Sequence, residues 1–448
     1  MSEGLHVAIV GAGPSGFFAA GSLLGLAEID VRVDMFDRLP TPWGLVRLGV
    51  APDHPKIKSV SAVFEEIADD ERFQFFGHVE IDRDISHEEL LDRYDAVIYA
   101  TGAQADRRLG IPGEDLPGCF PATEIVGWYN AHPDHHVSPI DVQTDRAVVV
   151  GNGNVALDIA RVLMTPPERL ARTDIADHAL ENLHTSTLRE VVVLGRRGPA
   201  EAAFTTRELK ELQELTGAHV VVEPAEALVA APEQADRRVA KNLDVMSGFL
   251  TDPGEDAGSD RRRIVLRFLS SPVQIHGTQS VTRVTVGRNE LREDELGRTV
   301  AVDTGQREEL STGLVVVATG YEATPVAGLS LDRATGSVAN VEGRIAGRPR
   351  EYVVGWAKRG PRGVIGATKK CAADTVALLV EDVRSGVIKR TRERSLPTPD
   401  WVRSRAPNMV TTSGWLAIDA AERAEGDAAG RPRVKLRTYD DLLRAALP

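Results

Sequence analysis

The apolar positions near the N-terminus predict a buried parallel strand that runs into a helix. Residues 7–10 form an unbroken apolar run, Val-Ala-Ile-Val, which is typical of a strand covered on both faces. An apolar helix is expected over residues 17–26, and a second strand over residues 31–36. Further along the chain, a helix is expected at 56–69, a strand at 73–81 with a turn at Gly77, and another strand at 94–102. This alternation predicts an α/β fold built on three-layer, Rossmann-like parallel sheets.

The turn between the first strand and the first helix has the spacing G-x-G-x-x-G over residues 11–16. Gly11 permits the tight turn, Gly13 lets the backbone approach a pyrophosphate, and Gly16 lets the helix pack closely on the strand. Asp37 follows the second strand, where a carboxylate commonly binds a ribose 2′-hydroxyl. The combination predicts a dinucleotide site, with an ordinary glycine turn as the alternative.

A second copy of this arrangement begins 140 residues later. The apolar strand at 147–150 runs into a G-x-G-x-x-A turn over residues 151–156. The strand that follows, 191–194, ends in Arg196 and Arg197 rather than in an acid. Two guanidinium groups at that position fit a 2′-phosphate and select NADP over NAD. The alternative is a solvated arginine pair at a strand end.

Matching Ala-Thr-Gly endings close two later strands, at 100–102 and 318–320, and complete an internal repeat. Because the second turn and its closing strand lie inside the first arrangement, the first domain is expected to be discontinuous. It would comprise residues 1–106 and 321–448, with residues 107–320 inserted as the second domain.

The sequence also predicts the local structure of three other segments. Residues 39–55, rich in proline and glycine, are expected to form a long stiff loop at the carboxyl edge of the sheet. The strand-rich region 261–302 is expected to form an antiparallel excursion on the second domain. After a strand at 352–354, a Gly/Pro loop should lead to a helix that begins near Gly363. Trp356, in that loop, would pack either against a flavin ring or in the core.

Composition removes several classes of function. The chain has only two cysteines, Cys119 and Cys371, and no C-x-x-C, which excludes a disulfide scaffold, a cysteine-ligated metal site and an internal redox dithiol. The net charge of −13 argues against nucleic acid as a general partner. No apolar run approaches the ~18 residues that span a bilayer. Since the first strand begins by residue 5, no signal peptide is expected and the location should be cytoplasmic.

Taken together, the motifs resemble the adrenodoxin reductase family, the glutathione-reductase-like type of ferredoxin–NADP+ reductase. The resemblance covers nearly the whole chain and rests on PTPWGLVRLGVAPDHPKIK (41–58), IPGEDLPG (111–118), GWYNAHP (127–133), GNGNVALDIARVL (151–163), GRRGP (195–199), GWAKRGPRGVIG (355–366) and GRPRVKL near the C-terminus. It implies FAD on the first Rossmann unit and NADPH on the second. It also implies hydride transfer from NADPH to FAD, then single-electron transfer to a ferredoxin that feeds an acceptor such as a cytochrome P450. A monomer is expected.

The resemblance also implies roles for single residues. FAD contacts, including those of the first glycine turn, would fall on Gly11, Ala12, Gly13, Gly16, Asp37, Leu45, Ile81, Trp356, Gly363, Val364 and Ile365. NADPH contacts would fall on Asn152, Gly153, Asn154, Val155, Arg196, Arg197 and Glu208, with Gly363 shared. His54, Asp158 and Glu211 match positions linked in the family to proton handling or nicotinamide positioning.

Ferredoxins are typically acidic, so docking requires a local basic patch on this acidic chain. The candidates are Arg207, Lys210, Arg237, Arg238 and Lys241, with Lys358 and Arg359 closer to the flavin.

Three alternative functions compete with this one. A flavin disulfide reductase needs a vicinal dithiol, which the sequence lacks. The electron-input module of an amidotransferase-type complex needs N-terminal cysteine motifs, which are also absent. The third, a non-catalytic NADPH-binding protein with a decayed FAD site, is disfavoured by the intact glycines at both turns.

Overall fold

The computed structural model describes residues 4–103, 105–228, 236–251, 262–323, 328–332, 335–361, 363, 365–389 and 396–447. The chain forms two compact units. The first comprises Met1–Val50, His54–Ala105 and Tyr321–Pro448, and the second comprises Ala51–Asp53 and Asp106–Gly320. No helix within these described ranges has the length and apolar character needed to cross a bilayer.

The strands, in chain order, are β1 Leu5–Val10, β2 Val31–Phe36, β3 Phe73–Gly77, β4 Ala96–Tyr99, β5 Ala105–Asp106, β6 Cys119–Pro121, β7 Arg146–Val150, β8 Glu190–Leu194, β9 Ala218–Glu223, β10 Arg262–Arg267, β11 Ser270–Gly277, β12 Val281–Glu293, β13 Thr299–Ser311, β14 Leu314–Val317, β15 Tyr321–Glu322, β16 Leu331–Asp332, β17 Ser337–Val338, β18 Asn340–Val341, β19 Arg344–Ile345, β20 Glu351–Val353 and β21 Val410–Thr411.

The helices, in chain order, are α1 Pro14–Leu24, α2 Leu45–Leu48, α3 Pro55–Lys58, α4 Ser61–Ala68, α5 His87–Arg93, α6 Ala122–Tyr129, α7 Asn154–Met164, α8 Pro167–Leu170, α9 Asp177–His184, α10 Thr206–Glu211, α11 Arg237–Thr251, α12 Gly355–Arg359, α13 Ile365–Arg384, α14 Thr398–Arg405, α15 Thr412–Ala429 and α16 Tyr439–Ala446. Short 3₁₀ turns lie at Pro199–Glu201 and Ala225–Ala227.

The first unit is built on an eight-stranded sheet in the order β18-β19-β20-β4-β1-β2-β3-β21. Its centre, from β20 to β3, is parallel, with Leu5 opposite Val31 and Val10 opposite Phe36. All six residues of β1 are buried, because its side chains alternate between core clusters on the two faces of the sheet. The predicted α/β fold is confirmed in this unit.

The second unit is built on a six-stranded parallel sheet in the order β6-β14-β7-β8-β10-β9. Helices pack on one face of this sheet. The other face packs on the three-stranded antiparallel sheet β11-β12-β13 through Val148 and Val150 against Ile275 and Val284. The antiparallel excursion predicted for 261–302 is therefore only partly correct. Its first strand, β10, joins the parallel sheet, since an unbroken buried run such as 264–266 suits a strand covered on both faces.

Several predicted boundaries are also corrected. The helix expected at 56–69 is two helices, α3 and α4, and the loop expected at 39–55 contains α2. The turn expected at Gly77 within the 73–81 strand is observed, but the strand ends there and does not resume, because His78 adopts φ +56° and leaves the extended conformation. The loop expected before Gly363 contains α12, which ends where Gly360 adopts φ +72°.

Candidate functional site

The first glycine turn has the backbone that its sequence predicts. Gly11 has φ +108°, and a Cβ there would lie 2.5 Å from the carbonyl oxygen of Ala100. A Cβ on Gly16 would clash with the carbonyl oxygen of Gly11. In contrast, a Cβ on Gly13 would meet nothing within 4 Å. Gly13 is the N-cap of α1 and provides no side chain to cap it, so open space faces free backbone N–H groups. This geometry fits a pyrophosphate.

Asp37 lies beside this turn and is bonded to it. Its Oδ2 accepts a hydrogen bond of 2.7 Å from the N–H of Ala12, and its Oδ1 accepts one of 2.9 Å from the N–H of Leu39. Burial raises the pKa of the Asp37 carboxyl, and the two N–H donors oppose that effect. A carboxylate oxygen can accept more than one hydrogen bond, so Asp37 retains capacity for a ribose hydroxyl.

The segment that includes α2 lies against the same turn. The N–H of Trp43 donates to the carbonyl oxygen of Ala12 at 2.7 Å, and a Cβ on Gly44 would lie 3.0 Å from the Cα of Gly13. Leu45 follows with an exposed side chain. Ile81, the other predicted aliphatic contact, is half-buried and packs against the core cluster on one face of the sheet.

A buried ion-pair network holds this segment in place. Glu422 is fully buried and accepts from both terminal nitrogens of Arg47, at 2.8 and 2.5 Å. Arg433 donates to the same carboxylate at 3.0 Å, and the N–H of Leu436 donates at 2.9 Å. The ammonium of Lys435 donates to the carbonyl oxygen of Arg47 at 3.1 Å. The sequence motif GRPRVKL pointed to this region, but nothing in the sequence singled out Glu422.

Trp356 lies on α12, close to the start of α1. A Cβ on Gly355 would clash with Oγ of Ser15, so the two helices approach closely only because this residue is glycine. The ring of Trp356 stacks on Tyr321, with centroids 6.0 Å apart. Gly363 is exposed and has φ +86°.

The structure adds little information about two of the predicted flavin contacts. Val364 lies outside the described residues, and Ile365 is the first residue of α13. The sequence did not predict the stacking of Tyr321 on Trp356, because the two residues are 35 positions apart and come together only in the fold.

The second glycine turn repeats the geometry of the first. Gly151 has φ +133°, and a Cβ there would clash with the carbonyl oxygen of Ala318. A Cβ on Gly153, the N-cap of α7, would meet nothing within 4 Å. Ala156 replaces the third glycine and is fully buried. The open space at Gly153 again fits a pyrophosphate.

The other residues of this turn tie it to α10. The carbonyl oxygen of Asn152 accepts hydrogen bonds of 3.1 Å from the N–H groups of Ala203 and Phe204. Oδ1 of Asn154 accepts one of 2.8 Å from the N–H of Thr205. Val155 is half-buried against the core. These contacts fix the start of α10 relative to the turn.

The predicted arginine pair lies at the carboxyl end of β8. Arg196 is exposed and Arg197 is half-buried, and neither guanidinium forms an ion pair with any residue that the structure describes. The pair follows the same parallel sheet that carries the second turn, so its free charges fit a 2′-phosphate on a nucleotide bound there.

Arg161 of α7 forms ion pairs with several carboxylates of the second unit. It forms ion pairs with Asp53, with Asp158 at 2.7 Å and with Glu211 at 3.9 Å. Burial lowers the pKa of Arg161 to about 10, and the field of Glu211 and Glu208 opposes that effect. The structure thus brings the predicted Asp158 and Glu211 together on one buried cation.

Two other predicted residues, Glu208 in the second unit and His54 in the first, are also buried. Oε2 of Glu208 has no hydrogen-bond partner among the described residues, so it is available to a hydroxyl or amide of a ligand. His54 is buried in the first unit, as the N-cap of α3.

The fold and the paired turns define a class of oxidoreductase with two dinucleotide-binding units. A family model described as pyridine nucleotide-disulphide oxidoreductase matches residues 5–194. The chain is 53% identical over 457 residues to "NADPH-ferredoxin reductase FprA" of Mycobacterium tuberculosis, with 99% of each chain covered. It is 40% identical over 464 residues to the mitochondrial "NADPH:adrenodoxin oxidoreductase" of Arabidopsis thaliana, with 99% of this chain and 96% of the relative covered.

A solved structure gives the same result. "Mycobacterium tuberculosis FprA in complex with NADPH" superposes with a TM-score of 0.94 at 50% identity, and the match covers 100% of both chains. The chain therefore belongs to the adrenodoxin reductase-like family of NADPH–ferredoxin reductases.

Proposed function

We propose that this chain is an NADPH:ferredoxin oxidoreductase that holds FAD in the first unit and NADPH in the second. The observation that carries this proposal is the repeated turn: Gly13 and Gly153 each leave open space at the start of an 11-residue helix. Only the second copy is followed by an arginine pair, and neither guanidinium forms an ion pair with a described residue. When bound, FAD supplies the ability to accept a hydride from NADPH and to release its electrons singly to a ferredoxin.

The residues of the chain bind and orient the two cofactors. At the first turn, the N–H groups of α1 hold a pyrophosphate while Asp37 accepts from a ribose hydroxyl. Trp356, which stacks on Tyr321, would support the flavin ring, and the family resemblance assigns further flavin contacts to Gly363, Val364 and Ile365. At the second turn, α7 holds the NADPH pyrophosphate, and the arginine pair binds the 2′-phosphate.

The carboxylates around Arg161 have a positioning role in this proposal. Arg161 pairs with Asp158 and Glu211 and fixes their positions, and Glu208 would accept from the nucleotide through Oε2, which has no partner among the described residues. His54 is assigned to proton handling, because an imidazole changes charge close to neutral pH.

Cysteine chemistry has no part in the proposed reaction. Both cysteines are free; Cys371 is buried, and burial raises the pKa of the Cys119 thiol to about 12. A thiol of that kind is not a ready nucleophile. These properties disfavour the flavin disulfide reductase alternative.

The ferredoxin is proposed to dock on a basic patch formed by α10 and α11. Five cations line one shallow cavity of the second unit, namely Arg207, Lys210, Arg237, Arg238 and Lys241. Two of them have other bonds: Arg207 pairs with Glu211, and Arg238 donates to the carbonyl oxygens of Ala202 and Phe204. Lys210, Arg237 and Lys241 are exposed and form no ion pair within the described ranges.

The two cations suggested nearer the flavin differ from this patch. The ammonium of Lys358 donates to the carbonyl oxygen of Glu342 at 2.6 Å and to Oγ1 of Thr375 at 3.0 Å, so it is held internally. Arg359 also has interactions within the protein. The docking proposal therefore rests on α10 and α11. A cytochrome P450 as final acceptor, a monomeric state and a cytoplasmic location are part of the same proposal.

Reversing two charges of the patch should slow electron transfer to ferredoxin selectively. For the variant Arg237→Glu/Lys241→Glu, we expect kcat/KM for ferredoxin to fall about tenfold at low salt, because complementary charge raises the association rate. NADPH-dependent reduction of ferricyanide should be unchanged. The matched control is Arg292→Glu/Arg298→Glu, which reverses two exposed charges on β12 and the turn after it. An equal loss in both assays would contradict the docking proposal.

Adding one methyl group at Gly153 should separate nucleotide binding from folding. The backbone of Gly153, φ −97° and ψ 179°, is open to alanine, and its Cβ would meet no protein atom within 4 Å. We expect Gly153→Ala to retain FAD and to cost no more than about 1 kcal/mol of stability. Affinity for NADP+ should fall at least about tenfold, because the methyl group fills the space of the pyrophosphate. Calorimetric titration with NADP+ checks this, and unchanged affinity would mean that the turn does not hold the nucleotide.

The proposed function as a whole is tested by stopped-flow absorbance of the purified protein mixed with NADPH or with NADH. Rapid bleaching of flavin absorbance with a clear preference for NADPH would support FAD, the hydride step and the 2′-phosphate site together. A protein without a flavin spectrum, or bleaching indifferent to the 2′-phosphate, would favour the non-catalytic binding protein instead.

A further inference from the structure

The backbone carbonyl groups of residues 195–197, which include the arginine pair, accept hydrogen bonds from residues distant in the sequence. The carbonyl oxygen of Gly195 accepts from the N–H of Ser270 at 3.0 Å, and that of Arg197 accepts from the N–H of Leu269 at 3.0 Å. Both donors are backbone N–H groups: Leu269 lies in the connection between β10 and β11, and Ser270 is the first residue of β11. The carbonyl oxygen of Arg196 differs, because it accepts at 2.9 Å from a side chain, Nδ2 of Asn289.

Asn289 is an unusual residue in its strand. It is 6% exposed, whereas its neighbours Arg288 and Glu290 on β12 are exposed. The pairing of β12 with β13 shifts register between Gly287 and Asn289. This irregularity turns a buried polar side chain toward the arginine segment.

Three hydrogen bonds fix the position of Asn289. Its backbone N–H donates to the carbonyl oxygen of Leu269 at 2.7 Å. Its Nδ2 donates to Oγ of Ser271 at 2.7 Å as well as to Arg196. Because a carbonyl oxygen only accepts, the atom that faces Arg196 must be the amide nitrogen. Asn289 also lines a cavity with Gly198 and Pro199, the residues that follow the arginine pair.

We infer that Asn289 is a specificity-determining positioning residue that orients Arg196 and Arg197 for the 2′-phosphate. Bidentate binding by a guanidinium depends on its direction as well as its charge, so the peptide that carries it must be fixed. Leu269 fixes the Arg197 carbonyl through the backbone, which no side-chain change removes. For Arg196 the side chain of Asn289 supplies that restraint. The inference rests on the proposed function, since it needs a nucleotide with a 2′-phosphate.

The test compares the two nicotinamide nucleotides in FAD-loaded Asn289→Ala. We expect kcat/KM for NADPH with ferricyanide to fall about tenfold and that for NADH to stay unchanged, so the preference for NADPH falls about tenfold. Calorimetric titration should give the same loss of affinity for NADP+. Ser271→Ala, which removes only the second partner of the amide, should reduce the preference in the same direction but less.

The matched control is Asn182→Ala. Asn182 also donates its amide to a backbone carbonyl oxygen, that of Ile140 at 3.0 Å, but on α9. It should leave the preference unchanged. Equal losses for NADPH and NADH in Asn289→Ala, or an unchanged preference, would overturn the inference while the wild-type preference still supports the proposed function. A wild-type protein with no preference for NADPH would instead overturn the proposed function itself.

Discussion

Replacing both Arg196 and Arg197 with alanine is expected to lower kcat/KM for NADPH about a hundredfold to ten-thousandfold. Charge-assisted hydrogen bonds to a phosphate are worth about 1.5–3 kcal/mol each, and the variant removes those of both residues. The value for NADH should change little, because NADH has no 2′-phosphate. Steady-state kinetics with ferricyanide as the acceptor measures both values without involving the ferredoxin.

Most of this loss should appear in KM rather than in kcat. The 2′-phosphate lies far from the reacting atoms, so the arginines bind the ground state and the transition state equally. Arg292→Ala/Arg298→Ala is the control, since it removes two exposed arginines of the same unit that pair with acids. A similar loss for NADPH and NADH would show that the pair supports the fold and does not read the phosphate.

Replacing Glu422 with alanine is expected to destabilise the first unit by about 3–5 kcal/mol. The substitution would remove the buried carboxylate that accepts from Arg47 and Arg433. Arg433 would keep Asp419 at 2.7 Å, so the main cost falls on the buried Arg47. Unpaired buried charges are among the most costly defects in a protein core. Denaturant unfolding of the FAD-loaded protein, followed by far-UV circular dichroism and by flavin fluorescence, measures the change.

The same substitution should also weaken FAD retention, because Arg47 belongs to α2 and the segment before α2 is bonded to the first glycine turn. The control is Glu65→Ala, which removes a half-exposed partner of Arg423 at 3.4 Å and should cost less than about 1 kcal/mol. If Glu422→Ala costs no more than Glu65→Ala, the network does not stabilise this unit.

The sequence predicted those parts of the structure that depend on short stretches of chain. β2 has the predicted bounds, 31–36, and both glycine turns have the expected backbone, because hydrophobic runs and glycine spacing are local signals. The placement of β10 was wrong, since sheet partners that are distant along the chain decide whether an apolar run pairs in parallel. The break between α3 and α4 lies within one apolar pattern that continues across it.

The sites were predictable to a similar degree. The arginine pair could be singled out in the sequence because it directly follows a strand, and its role at a 2′-phosphate stays a prediction. Asn289 was missed, since its contact with Arg196 spans 93 residues and a single asparagine in a polar stretch has no signature. Glu422 was missed for the same reason, as its contact with Arg47 spans 375 residues.

The eight-stranded sheet takes its strands from both ends of the chain, and this sets an order of assembly during synthesis. β1 to β4 leave the ribosome first, but β20, the parallel neighbour of β4, follows only after the whole second unit has been made. Apart from Ala51–Asp53, the second unit is one continuous stretch of chain. All strands of its sheet are therefore synthesised before β20 of the first unit. Until β20 arrives, β4 exposes an unpaired apolar edge, which is the kind of surface that chaperones cover.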